Sequence, residues 1–139
     1  MKPKRLHLDA NVVLRFLRDD DPVQSPAAAR LFAEAKAGKA ELRLSAVTLA
    51  EIFYVLARVY RLSRTDTAAM LLPLIQSKLI EVETRSRVAD TLRRVISANV
   101  DFGDAYLAAT AVERGEAVAS FDRDLAEFKD VTTVMPKGT

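Results

Sequence analysis

Cysteine is absent from this 139-residue chain, and histidine occurs once, as His7. Without cysteine there can be no disulfide, no thiolate nucleophile and no thiolate zinc site. A single histidine with no His or Cys partner is expected to pack within a strand rather than to bind a metal or act as a base. Any metal site must therefore be built from oxygen ligands, and such ligands favour Mg²⁺ or Mn²⁺.

Long hydrophobic runs and a strong charge imbalance are also missing. The longest apolar stretch, residues 68–75, is too short for a bilayer-spanning helix, which needs roughly 20 residues. No apolar segment of a secretory signal follows the N-terminal MKPKR. The 21 basic and 19 acidic residues nearly cancel, so net charge alone does not indicate nucleic acid binding. We expect a cytoplasmic protein without a membrane segment, in keeping with the lack of cysteine.

Short apolar runs alternate with amphipathic helical segments along the chain. Strands are expected at residues 4–9, 40–45, 79–83, 117–120 and 131–134. Helices are expected at 10–18, 26–37, 48–60, 65–77, 86–98, 103–114 and 122–128, with a kink or a split at Pro73. This alternation predicts an α/β protein, a three-layer α/β/α sandwich with a mainly parallel sheet. We expect one domain over residues 1–135 and a frayed tail at 136–139.

Four carboxylates share one local context, beside a short apolar run and at the start of a predicted helix. They are Asp9, Glu51, Asp104 and Asp122. Parallel strands joined by right-handed crossovers bring such positions to one edge of the sheet, so we expect the four to converge. Packed carboxylates repel one another unless a cation compensates them. The pattern therefore predicts a metal site, and metal-activated water can attack a phosphodiester.

Each of these carboxylates also has a purely structural interpretation. Asp9 and Asp122 could be helix N-caps, because aspartate caps helices well. Glu51 could close a capping box with Thr48, and Asp104 could simply favour the positive end of its helix. Taken singly the structural interpretations are preferred, whereas four such positions at one predicted edge favour the metal site.

The segments LDANVVLRFLRDDDP, SAVTLAEIFYVLARVY, VDFGDAYLAA and ASFDRDL resemble, in order and spacing, those of PIN-domain proteins. The resemblance is in particular to VapC-type toxins of type II toxin–antitoxin pairs, and it covers nearly the whole chain. It implies a PIN-like fold and a metal-dependent endoribonuclease that leaves a 5′-phosphate and a 3′-hydroxyl. It also implies that the four carboxylates are the catalytic and metal-binding quartet. The implied partners are RNA, a small antitoxin whose tail lies across the early helices, and a second copy in a homodimer.

Other polar residues flank the quartet. In the resemblance, Asn11 matches a polar site residue near the first aspartate, and Ser120 stands where its hydroxyl would orient Asp122. Asp101 either joins the site or caps its helix. Asp124 either lies at the rim of the site or is a solvated carboxylate.

Basic and aromatic residues give weaker indications of how the chain would contact RNA or a partner protein. Candidate contacts to RNA phosphates are Arg15, Arg18 and Arg123. The aromatics are few and do not form the row of stacking side chains used by sheet-based RNA readers. Phe53, Tyr54 and Tyr60 are therefore expected in the core or in an interface. Apolar residues on more than one face of helix 48–60 indicate full burial, a dimer contact or a partner groove.

Two other functions fit parts of the sequence. One is a metal-dependent phosphatase or phosphoacceptor domain in which Asp9 is phosphorylated, although its usual second aspartate is replaced here by Asn11. The other is a non-catalytic PIN-like binding module, which would be expected to have lost a carboxylate of the quartet. All four are present, so the nuclease is the preferred interpretation.

Overall fold

Six α-helices and five short strands make up the described part of the chain. The computed structural model describes residues 2–138. The strands are β1 (Lys4–His7), β2 (Ala40–Leu44), β3 (Ile80–Val82), β4 (Val118–Ala119) and β5 (Thr133–Val134). The helices are α1 (Ala10–Arg18), α2 (Gln24–Lys36), α3 (Ala46–Arg58), α4 (Arg64–Gln76), α5 (Arg85–Ala98) and α6 (Phe102–Arg114). A short 3₁₀ helix, Asp124–Glu127, lies between β4 and β5.

All strand pairings among these residues are parallel. The order β1-β2-β3 forms a three-stranded sheet, and β4 pairs with β5 separately. In the central strand β2, Ala40, Leu42 and Leu44 alternate with less buried residues, which is the period-2 pattern of a strand with one face on the core. The predicted α/β/α fold with a parallel sheet is confirmed.

The core lies where the helices pack on one another and on the sheet. Helix α5 packs between α4 and α6, and α3 contacts α1, α4 and α6. Leu56 of α3, Leu71 of α4 and Leu92 of α5 have no exposed surface. This continuous core fixes the start of α6 and the start of α3 relative to each other.

The start of α2 differs from the sequence prediction. The sequence predicts a helix from residue 26, but α2 begins at Gln24 and Ser25 is buried inside it. The carboxylate of Asp21 takes the capping role, because it accepts hydrogen bonds from the backbone N–H groups of Val23 (2.9 Å) and Gln24 (2.6 Å). Asp21 thus belongs to the turn that joins α1 to α2.

The start of α3 differs as well. The alternative of a capping box between Thr48 and Glu51 is wrong, because Ser45 is the N-cap and its hydroxyl oxygen accepts from the Thr48 N–H at 3.1 Å. The helix therefore begins at Ala46. As a consequence Glu51 lies in the second turn, exposed to solvent, rather than at the helix start.

Three remaining expectations concern Pro73, a membrane-spanning helix and the C-terminal residues. Helix α4 runs without a split through Pro73. No helix among the described residues is both long and apolar enough to cross a membrane. Residues 136–138 form no helix or strand, and Thr139, the end of the expected tail, lies outside the described residues.

Candidate metal centre

Three carboxylates come together beside the N-terminal end of α6. Asp104 lies in the first turn of α6, Asp122 in the loop after β4, and Asp124 at the start of the 3₁₀ helix. One oxygen from each lies within 4.8 Å of one from each of the others. Asp104 is partly buried, whereas Asp122 and Asp124 are exposed. We call these three residues the acidic trio.

Two hydrogen bonds shape the segment after β4 that carries Asp122 and Asp124, two of the three members of the trio. The Ser120 hydroxyl oxygen accepts from the backbone N–H of Asp122 at 2.9 Å. The Asp122 carboxylate in turn accepts from the backbone N–H of Asp124 at 3.0 Å. The Ser120 side chain therefore contacts the backbone of Asp122, and the second bond draws the Asp124 backbone towards the Asp122 side chain.

The electrostatics of the trio centre on Asp104. Burial raises the pKa of its carboxyl, and the negative charges of Asp122, Asp101 and Asp124 raise it further, while Arg64 acts in the opposite direction. Asp101 occupies the N-cap position of α6 but makes no side-chain capping bond. Its charge is thus part of the field at Asp104. A divalent cation would relieve this repulsion, so the oxygen-only donor set fits Mg²⁺ or Mn²⁺.

Asp9 and Glu51 are placed differently. Among residues 2–138, they do not belong to the close carboxylate group that contains Asp104 and Asp122. The Asp9 carboxylate caps α1 by accepting from the Ala10 N–H at 2.9 Å. It also lines a groove of about 370 Å³ with Asn11, while Glu51 stands exposed on the second turn of α3. Their metal-binding role stays a prediction.

The candidate RNA-contacting arginines occupy three different settings. Arg15 lines the groove beside Asp9 and donates to Gln24 (2.9 Å) and Asp20 (3.2 Å). Arg18 packs over the Tyr60 ring, with its guanidinium carbon 5.0 Å from the centroid. Arg123 is exposed between the two loop members of the acidic trio. Of the three, Arg123 is thus the one adjacent to the trio.

Sequence reasoning missed an ion pair that joins α5 to the segment after the 3₁₀ helix. Arg94 of α5 is 8% exposed and donates to both carboxylate oxygens of Asp130, at 2.9 and 2.6 Å, and to Asp90 at 3.0 Å. These bonds raise the pKa of Arg94, mainly through Asp130, and lower that of Asp130. The Asp90–Arg94 spacing of four residues was a visible signal. Asp130 lies 36 residues from Arg94 in the sequence and gave no such signal.

Phe121 was also missed. It immediately precedes Asp122 and is 75% exposed. The available signal was a large apolar residue between Ser120 and Asp122, in a segment too polar to be core. An aromatic ring thus stands in solvent next to the trio.

Among known protein families, the model described as PIN domain matches residues 6–131, a span that includes the whole acidic trio. No curated protein matches the chain.

Proposed function

The chain belongs to the PIN-domain family, and from that premise we propose that it is an endoribonuclease that uses Mg²⁺ or Mn²⁺. PIN domains are generally metal-dependent nucleases, and they act on RNA or DNA. The observation that carries the proposal is the acidic trio, whose oxygens lie within 4.8 Å of one another inside the matched region. A clustered set of carboxylates is what a hard cation and a phosphodiester substrate require.

The proposed roles follow from position. Asp104 and Asp122 hold the metal, Asp124 lies at the rim, and Ser120 positions Asp122 through its backbone N–H. When bound, a divalent ion lowers the pKa of an attacking water and stabilises the oxygen that leaves. Support for Asp9 and Glu51 as further members of the quartet comes from the sequence motifs that contain them, and not from the distances between their carboxylates and the acidic trio.

The proposed reaction is hydrolysis of a phosphodiester. A water oxygen bonds to phosphorus, the bond from phosphorus to the 3′ oxygen breaks, and that oxygen leaves as a hydroxyl after gaining a proton. The products are a 5′-phosphate and a 3′-hydroxyl. No histidine lies in the trio, so its carboxylates provide the ligands and also the nearest groups able to accept the proton of water.

Cleavage of a labelled single-stranded RNA tests the proposal. We expect cleavage with Mn²⁺ or Mg²⁺ and none with excess EDTA. A DNA strand of the same sequence serves as the control for the sugar, and it should remain intact. RNA that stays whole at every metal concentration would remove the nuclease assignment.

Metal and pH should act together on thermal stability. The raised pKa of Asp104 means that its ionised form destabilises the metal-free fold. The contribution of Asp104 to the stability of the metal-free protein should therefore fall as pH rises through the ordinary aspartate pKa, about 3.9, and on through the raised pKa of Asp104. At about pH 7, divalent metal should raise the melting temperature by mass action, and protons should compete with it at lower pH.

Asp104→Asn should raise the melting temperature of the metal-free protein and reduce the gain that metal produces. Asp66→Asn is the matched control, because Asp66 is also the third residue of its helix but stands exposed on α4. Thermal melts with and without Mn²⁺ measure both effects. An unchanged metal response in Asp104→Asn would place the ion elsewhere.

We further propose that the protein is the toxin of a type II toxin–antitoxin pair. Support comes from the VapC-like motifs and from the groove beside Asp9, whose walls include Val12 and Leu31 of α1 and α2. An antitoxin tail could bury apolar side chains there, while a basic residue of the tail compensates the carboxylate. Expression of this chain alone should slow growth, and co-expression of the protein encoded beside it should restore growth. Normal growth with the chain alone would contradict the toxin role without touching the nuclease role.

The proposed homodimer has its own support. Val47 on α3 is 79% exposed and Leu107 on α6 is 45% exposed. Val47, Phe102 and Tyr106 line an apolar depression of about 290 Å³. Apolar side chains on neighbouring helices suit a contact between two copies. Sedimentation equilibrium measures the assembly directly.

A further inference from the structure

A second cleft lies next to the acidic trio, between α3 and the starts of α4 and α6. It encloses about 270 Å³, and Tyr54, Arg58, Arg64, Asp101 and Gly103 are among its lining residues. This volume is near the lower limit of small-molecule sites, roughly 300–1,000 Å³, so the cleft suits one nucleotide unit. With two guanidinium groups against one carboxylate, its charge favours an anion.

The α3 side of the cleft presents a flat aromatic surface. Tyr54 is 59% exposed, and the guanidinium carbon of Arg58 lies 5.4 Å from the centre of its ring. The buried rings of Phe53 and Phe102, which also line the cleft, lie 5.3 Å apart and join α3 to α6. The ring of Tyr54 therefore projects from a helix packed on the core rather than from a loop.

Arg64 forms the opposite side, as the first residue of α4. Its guanidinium donates to the backbone carbonyl of Asn99 at 3.2 Å. Arginine has five N–H donors, and this is the one bond that Arg64 makes within the described part of the chain. The remaining donors are available for a phosphate.

The cleft and the acidic trio both include residues from the start of α6. Asp101 lines the cleft at the start of α6, and Asp104 follows three residues later on the same turn. The positive charge of Arg64 also acts on Asp104, where it opposes the rise in pKa caused by burial and by the neighbouring carboxylates. A strand with one phosphate at the trio would therefore have its adjacent nucleotide within reach of the cleft.

We propose that this cleft is a nucleotide subsite for single-stranded RNA, in which Tyr54 stacks on a base and Arg58 and Arg64 bind the phosphates beside it. The inference rests on the proposed nuclease function and adds how the strand is held. An unpaired base is required, because the faces of bases within a duplex are already stacked. A second copy of this chain is a poorer occupant, since it would bring the same two arginines to a narrow cleft.

The test is binding of a fluorescent, unstructured hexaribonucleotide to the full chain in EDTA, followed by anisotropy. Tyr54→Leu should weaken binding roughly tenfold, on the scale of one lost stacking contact, while Tyr54→Phe keeps near wild-type affinity. Arg64→Gln should weaken binding and reduce the slope of log affinity against log salt by about 1. Tyr54→Leu should leave that slope unchanged. Arg93→Gln, at an exposed arginine of α5 outside the cleft, is the control and should leave both the affinity and the salt slope nearly unchanged.

The outcomes separate the subsite from the nuclease. If wild type cleaves RNA while Tyr54→Leu and Arg64→Gln bind the oligonucleotide as wild type does, the subsite is wrong and the nuclease stands. No binding by wild type would also overturn the subsite. If Tyr54→Leu turns a dimer into a monomer, the cleft is a contact between copies and the proposal fails. Lost binding in the variants of a chain that cleaves no RNA would support the subsite and remove the nuclease.

Discussion

Asp104→Asn is expected to reduce metal-dependent RNA cleavage roughly a hundredfold or more, the scale of losing one preorganised electrostatic contact in a site. Asp104 is the partly buried member of the acidic trio, and an amide at this position removes one negative charge from the ion's ligands. The substitution keeps the shape of the side chain, so the fold should persist. Single-turnover cleavage at saturating Mn²⁺ measures the loss in the chemical step.

The matched control is again Asp66→Asn. Both residues are the third of their helix, so both favour the positive end of the helix dipole. If Asp104 acted only through the dipole, the two substitutions would have similar small effects on stability and none on cleavage. Unchanged cleavage by a folded Asp104→Asn protein would exclude Asp104 from the metal centre.

Arg85→Met is expected to produce the largest loss of stability. The Arg85 guanidinium donates to three backbone carbonyls, those of Ile75 (2.6 Å), Ser77 (2.8 Å) and Ile80 (2.7 Å). The first two lie at the end of α4, where helix carbonyls lack partners and carry partial negative charge. The third begins β3. One side chain thus joins the end of a helix to the start of a strand.

Methionine fills similar volume but donates no hydrogen bond. Since hydrogen bonds to a charged group contribute about 1.5–3 kcal/mol each and are not additive, we expect the free energy of unfolding to fall by about 3 kcal/mol. For a domain of this size that corresponds to a melting temperature lower by roughly 10 °C. Denaturant unfolding measures the loss. Arg93→Met, an exposed substitution on the same helix, should change stability by less than about 0.5 kcal/mol. Equal stabilities for the two variants would show that the three carbonyls are satisfied without Arg85.

The sequence predicted which segments form helices and strands better than it predicted the residues at which those elements begin and end. Helix α1 has the predicted bounds, because its apolar stripe is followed by a run of aspartates that cannot continue it. The starts of α2 and α3 were misplaced because several capping residues stand within a few positions of each other. The Asp21 carboxylate accepts from the N–H of the first residue of α2, and Ser45 rather than Thr48 caps α3, and the local sequence does not reveal which of the neighbouring polar residues makes these bonds.

Only part of the candidate site could be predicted from the sequence, because the rest depends on local hydrogen bonds, as the starts of α2 and α3 do. Asp104 and Asp122 come together because α6 and the loop after β4 meet at one end of the fold. Asp124 joins them through the bend that the Asp122 carboxylate makes with the Asp124 N–H, a contact invisible in a motif. The carboxylate of Asp9 instead bonds to its own helix, and the shifted start of α3 moves Glu51 to its second turn. Patterns identify the segment that carries a carboxylate, whereas side-chain direction depends on the local hydrogen bonds.

The chemistry of the cut ends tests the central claim most directly. RNA is cleaved with Mn²⁺ in water enriched in a heavy oxygen isotope, and the fragments are weighed by mass spectrometry. Attack by water predicts one heavy oxygen in the 5′-phosphate of the downstream fragment and an unlabelled 3′-hydroxyl on the upstream fragment, with neither product formed in EDTA. A 2′,3′-cyclic phosphate, or cleavage that continues in EDTA, would show that the RNA 2′-hydroxyl or a metal-independent route cuts the strand, and would contradict the account.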